Sequence, residues 1–101
     1  MLKRGMPPVH PGEILREMYM DAIGIGVKEL ADGLGVGRRT VSLIINGHSG
    51  ISVEMALRLS MAFGTTPQLW INMQRDYDLW QAGNKATLKD VRHLFRSKGA
   101  A

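Results

Sequence analysis

Two apolar stripes at helical spacing stand close together in VKELADGLGVGRRTVSLIING, residues 27 to 47. Leu30, Ala31 and Leu34 share one face, and Val41, Ile44 and Ile45 share another, at the i, i+3, i+4 intervals of a buried helix side. Between them lies Gly35-Val36-Gly37. Gly35 can take a positive φ at a helix C-terminus without Cβ strain, and Val36 can fill the corner. Ala31 is small where the two helices cross most closely, so a bulkier side chain would hold them apart. A small residue, a glycine, an apolar corner residue and a second stripe, in that order, predict two short helices joined by an abrupt turn.

The same periodicity extends on both sides. Pro11 suits a first helical turn and Glu13 its positive end, with Ile14, Leu15, Met18 and Ala22 as the inner face of a helix that stops at Gly24. Asn46-Gly47 and Gly50 read as a loop, after which Ser52 caps a helix carrying Ala56, Leu59, Ser60 and Phe63 and ending at Gly64. Thr66 followed by Pro67 opens a fifth helix, expected to run to Ala82 or Gly83. Residues 86 to 98 fit a short sixth, with Thr87 as cap, Asp90 three residues on, and Leu88, Val91 and Phe95 on one side; a frayed, solvated terminus is the competing reading. Strand-like alternation and internal repeats are missing. The expectation is an all-α, compact five-helix domain over residues 9 to 83, between a loose arm at 1 to 8, where Met6-Pro7-Pro8 favours extended backbone, and a basic extension at 84 to 101.

Length and composition narrow this picture. A chain of 101 residues suits one small core. It has no cysteine, which excludes disulfides and thiolate metal sites and suits a reducing cytoplasm. No apolar run approaches the roughly 18 residues of a membrane span, so a cytoplasmic protein with no membrane partner is expected. The isoelectric point near 9.9 invites a nucleic-acid reading, but charge distribution weakens that inference. Residues 1 to 84 hold eight Lys/Arg against eight Asp/Glu, and the net +4 comes from the last seventeen positions, with Lys85, Lys89, Arg92, Arg96 and Lys98 against Asp90. Nucleic-acid binding must therefore be argued from a local face.

The second of the paired helices supplies that face. Off its apolar stripe lie Arg38, Arg39, Thr40, Ser42, Leu43 and Asn46, and Asp32 is the one acid between Glu29 and Glu54. Arginine can read guanine O6 and N7 bidentately, asparagine can pair with adenine N6 and N7, serine and threonine can serve either partner, and Leu43 can meet a thymine methyl. An ordinary solvated helix face is the bland alternative, and the turn pattern argues against it. Arg38, Arg39, Ser42 and Asn46 are candidates for base-edge or adjacent phosphate contacts. Lys28, Thr40 and His48 are candidates for positioning contacts.

On the fifth helix Trp70, Met73, Tyr77 and Trp80 recur at intervals of three, four and three, with Leu69, Ile71 and Leu79 adding apolar surface. Two readings fit: packing into the core of the chain, or a two-fold dimer seam that sets two reading helices about one DNA turn apart, roughly 34 to 36 Å. A split role is the expectation, with dimerisation through this helix or the tail.

Catalytic chemistry finds little support. His10, His48 and His93 lie on different elements without acids at metal-ligand spacing, and read as surface or capping groups. GIG at 24 to 26 and GVG at 35 to 37 lack the strand and the spacing of a nucleotide-binding loop. Glu13 and Glu17 stand one turn apart, which is common on solvated helices. Neither an enzyme, a cofactor nor a metal site is expected.

With these residues in place, the chain resembles the Xre-type helix-turn-helix family, and within it the HigA (VapI-like) antitoxins. The resemblance covers residues 8 to about 82 and rests, beyond the turn, on PVHPGEIL at 8 to 15, NGHSGIS at 46 to 52 and ALRLSMAFGTTPQLWINMQRDYDLW at 56 to 80. Gly37 departs from it, standing where the family commonly carries a Ser or Thr cap; glycine there costs only a few tenths of a kcal/mol. The resemblance implies a lambda-repressor-like five-helix domain, a homodimer binding double-stranded operator DNA, repression of its own operon, and neutralisation of a HigB-type ribonuclease toxin. A stand-alone Xre-type regulator without a toxin is the alternative.

Overall fold

The structure, a computed structural model, describes residues 7–85 and 87–95. Five helices and no strand occur among the described residues. Of the arm expected at 1 to 8, only Pro7 and Pro8 are described, in irregular backbone.

Helix α1 spans residues 11–23, with its two ends α-helical and its middle, Leu15–Met20, wound as a π-helix. His10 is its N-cap, with Nδ1 accepting the Gly12 N–H at 2.9 Å, and Pro11 occupies the first turn. Gly24 ends it at φ 76°. The π segment corrects the expected inner face. Its i→i+5 bonding, seen where the Asp21 N–H meets the Arg16 carbonyl, brings Leu15 and Met20 to the same side, and both are buried. Met18 and Ala22, expected inside on a 3.6-residue period, are instead exposed. Tyr19 takes the inward place, its ring 4.9 Å from Phe63 and 5.1 Å from Trp70.

Helices α2 (Val27–Leu34) and α3 (Arg38–Ile45) form the expected pair. Gly35 takes φ 72° at the end of α2, where the Val36 N–H returns to the Ala31 carbonyl, the bonding of a left-handed helix stop. Ala31 is 1% exposed at the crossing, Val36 packs against the core, and Gly37 begins α3 without a side-chain cap. Helix α4 (Val53–Phe63) opens on Ser52, whose Oγ accepts the Met55 N–H at 3.1 Å, and closes on Gly64 at φ 71°. Helix α5 (Pro67–Lys85) opens on Thr66, whose Oγ1 accepts the Leu69 N–H at 3.2 Å. It runs two residues beyond the expected end, with Gly83 inside the helix.

One core joins all five helices. Val41 and Ile44 of α3 enter it beside Leu30, Ala31 and Leu34 of α2, while Ala56 and Leu59 of α4 and Trp70 of α5 close the far side. Trp70 is 0% exposed and its indole Nε1 donates to Thr65 Oγ1 at 2.8 Å. This removes Trp70 from the expected dimer seam: a side chain with no surface cannot meet a second protomer.

The expected sixth helix is absent from 87–95, where a lone turn carries the Val91 N–H to the Leu88 carbonyl at 3.0 Å. Leu88, Val91 and Phe95, its intended inner side, are all exposed. A segment of that length with nothing to pack against gains too little to offset helix nucleation. Residues 86 and 96–98 of that expectation lie outside the described residues.

Helix α1 also touches the end of α3, where a Cβ added at Gly12 would overlap the Ile44 carbonyl. We therefore expect Gly12→Ala to lower stability by about 1–3 kcal/mol in urea denaturation, the usual cost of overpacking. Gly33→Ala, in α2 with open space around the added methyl, should raise stability by about 0.5–1 kcal/mol in the same assay.

Candidate nucleic-acid interface

Burial of Val41 and Ile44 decides which side of α3 faces outward. Opposite them Arg39, Ser42, Leu43 and Asn46 fall on one line at i, i+3, i+4 and i+7, flanked at the first turn by Arg38 and Thr40. Both arginines and Thr40 are exposed, Ser42 and Leu43 are half-buried, and Asn46 is exposed at the C-terminal end. The six α3 residues expected to contact DNA are thus brought together on one surface. No carboxylate occurs on α3.

Asn46 is already engaged. Its Nδ2 donates to the Ser42 carbonyl at 2.9 Å and to Ser42 Oγ at 3.3 Å. Bidentate pairing with adenine requires the amide to turn out of this arrangement, an exchange made inexpensive by its exposure to water. His48 is exposed in the loop after α3, which is shaped by backbone: Gly47 takes φ 77°, and the N–H groups of His48 and Ser49 return to the Leu43 carbonyl at 2.8 and 3.1 Å. Lys28 lies on α2, not on α3, and its Nζ pairs with Asp32 at 2.9 Å in the open. Such an exposed pair holds the lysine weakly, leaving it able to exchange a carboxylate for a phosphate.

Three supports of this surface escape the sequence reading. Arg58 of α4 donates from Nη1 to the Leu34 carbonyl at 2.7 Å, satisfying the end of α2 at the turn, while its Nε and Nη2 grip Glu54 at 3.1 and 2.8 Å. Gln74 of α5 accepts the Ile51 N–H at 2.8 Å and so fixes the loop that leaves α3. Gly12, as above, seats α1 against the Ile44 carbonyl. The Glu54–Arg58 spacing is a visible i, i+4 ion pair. The contacts to Leu34 and Ile51 span 24 and 23 residues, and no local pattern encodes them.

His10 is a capping group, as its sequence context suggests. Burial holds its pKa below the ordinary value of 6.5, against the opposing pull of the Asp78 and Glu13 carboxylates. Its ring meets Tyr77 edge-on at 4.8 Å. Among the described residues no group of three or more His, Cys, Asp or Glu could hold a metal ion, and no helix is long and apolar enough to cross a membrane.

The four aromatic and methionine positions of α5 do not act alike. Trp70 is core, Met73 packs against the core, and Tyr77 is half-buried between His10 and Gln81, whose Nε2 donates to the phenol at 2.7 Å. Trp80 alone keeps broad exposure, at 41%, beside the open Leu79.

Arg58→Ala leaves the end of α2 without its partner, and we expect a loss of about 1 kcal/mol in urea denaturation, discounted for partial exposure. Arg58→Lys should recover only part, because an ammonium cannot reproduce the planar fork that joins Glu54 to Leu34.

The helix-turn-helix family matches residues 16–70. Antitoxin HigA-1 of Vibrio cholerae serotype O1 is 39% identical over 99 residues, covering 96% of this chain and 93% of that protein. The structure of antitoxin GraA in complex with its operator superposes with a TM-score of 0.84 at 41% identity, covering 95% of this chain and 100% of that one. Pseudomonas aeruginosa antitoxin HigA, solved with the higBA promoter, gives a TM-score of 0.78 at 37% identity over 87% of this chain and 99% of its own. A buried α2–α3 pair, an outward donor-rich α3 and this degree of likeness have one meaning: the chain belongs to the Xre-type helix-turn-helix family, in its HigA-like branch.

Proposed function

We propose that this chain is the antitoxin of a type II toxin-antitoxin system and represses its own operon by binding the operator as a homodimer. The observation that carries the reading is the single outward line of Arg39, Ser42, Leu43 and Asn46 on a helix whose other side is locked in the core. Arg38, Arg39, Ser42 and Asn46 take base edges or neighbouring phosphates, Leu43 meets a thymine methyl, and Lys28, Thr40 and His48 position the domain on the backbone. The antitoxin half rests on likeness to HigA-1 and GraA, and a HigB-type ribonuclease is the partner that likeness supports. The protein acts in the cytoplasm, without catalysis of its own.

Two-fold symmetry matches a palindromic operator, and it needs a seam away from α3. Leu79 and Trp80 on the outer side of α5 supply open apolar surface for one, with Leu69 a few turns earlier on the same helix.

Titration onto labelled DNA from immediately upstream of the operon, against a scrambled duplex and across a salt series, tests the DNA half. Operator binding should survive physiological salt and collapse in the Arg38→Ala/Arg39→Ala variant, and Arg39→Ala alone should cost about 1–3 kcal/mol and relax one base pair. Equal binding to both duplexes that vanishes as salt rises would overturn this and assign the affinity to the basic tail.

For the antitoxin half, the chain should co-purify with the product of a small neighbouring reading frame and silence its RNA cleavage, with cleavage returning once the pair is separated under denaturant and the partner refolded alone. A neighbouring product that neither binds nor cleaves RNA would contradict the antitoxin half and leave a stand-alone regulator.

A further inference from the structure

A chain of contacts leads from α5 to the far end of the reading helix. The Tyr77 ring of α5 meets the His10 ring edge-on at 4.8 Å, and His10 Nδ1 accepts the Gly12 N–H at 2.9 Å. Gly12 in turn lies so close to the Ile44 carbonyl of α3 that a Cβ would overlap it. An open cleft beside this chain is lined by His10, Glu13 and Arg16 on one side and by Ile45, Asn46 and Gly47 on the other. The histidine cap and the last candidate base-reading residue, Asn46, thus share one small space.

We propose that His10 is a positioning residue for the reading helix: Nδ1, as an acceptor, fixes the first turn of α1 in the arrangement that seats Gly12 against α3 and so sets where Asn46 meets DNA. This inference rests on the DNA-binding reading above and adds a residue that need not touch DNA.

The mechanism depends on one lone pair. A neutral imidazole carries its proton on Nε2 and offers Nδ1 to the Gly12 N–H, whereas an imidazolium presents donors at both nitrogens and cannot accept. Protonation therefore sets two donors against each other and frees the turn. Around the ring stand Glu13 and Arg16 from α1 and Tyr77 and Asp78 from α5, while the end of α3 contributes Ile45, Asn46 and Gly47, none of which titrates. The carboxylates of Asp78 and Glu13 favour the charged ring, and burial, the larger effect, opposes charging. Because burial prevails, the capped form is complete above the ordinary histidine value of 6.5 and is lost as pH falls below it. The cleft is open to water, so a proton can reach the ring.

The test compares wild type, His10→Asn and His10→Phe, each titrated with operator and scrambled duplex from about pH 8 to about pH 5.5 at fixed ionic strength. The readout is the ratio of the two affinities, because any change in binding common to both duplexes cancels in it. Wild type should lose discrimination toward the acidic end, by up to about fivefold as the ring becomes charged, the equivalent of one lost N-cap. His10→Asn offers a side-chain carbonyl to Gly12 and has no proton to gain, so its discrimination should hold across the range. His10→Phe keeps a ring against Tyr77 without an acceptor, and should show the acid-level discrimination at every pH. Thermal midpoints of all three at about pH 8 report whether folding is intact. A His10→Asn variant with the pH response of wild type, or a folded His10→Phe variant with full discrimination, would overturn the inference. Failure of wild type to discriminate at about pH 8 would instead overturn the DNA-binding reading itself.

Discussion

Helix α3 is eight residues long, and a helix of that length has almost no stability of its own in water. Its existence and its orientation both depend on burying Val41 and Ile44, which are 0% and 2% exposed. Each apolar side chain taken out of water contributes roughly 1.5–3 kcal/mol, enough to offset the ordering of a short helix when two are joined by good packing. The same burial leaves the opposite line of side chains no choice but to face outward. Folding and the proposed reading of DNA are therefore one constraint seen from two sides.

The rest of the molecule acts as a frame for this helix. Helix α2 crosses it at Ala31, Arg58 of α4 ties down the end of α2, Gln74 of α5 ties down the loop beyond Ile45, and α1 abuts the Ile44 carbonyl through Gly12. These contacts come from four different helices, so a displacement of any one bears on α3. Overall charge has little part in this: the body is balanced, and the excess of positive charge lies in the last residues. On the function proposed above, what directs the domain to nucleic acid is the placement of Arg38 and Arg39 on a face without carboxylates.

Much of this was legible from residue order alone. Periodicity located α2, α3 and α4, and the caps at Ser52 and Thr66 and the stops at Gly24, Gly35 and Gly64 stand where their chemistry requires. Short-range pattern failed where long-range contact decides. The π turn of α1 follows from fitting Leu15, Tyr19 and Met20 to one core, which no 3.6-residue template anticipates. A period of three and four marks Trp70 and Trp80 alike, yet the former is sealed by α1 and α4 and the latter lies nearer the open end of α5. The tail has the periodicity of a helix over 87–95 but no surface beneath it, so pattern without burial gave no helix.

Hydroxyl-radical footprinting of the operator region tests the central claim most directly, because it reports where the reading helix sits and how many copies are present. A homodimer presenting two copies of α3 should protect two patches centred about 10 base pairs, roughly 34 to 36 Å, apart and related by a local two-fold axis. A single asymmetric patch, or uniform weak protection along the duplex, would contradict the account of two fixed reading helices on one palindromic site.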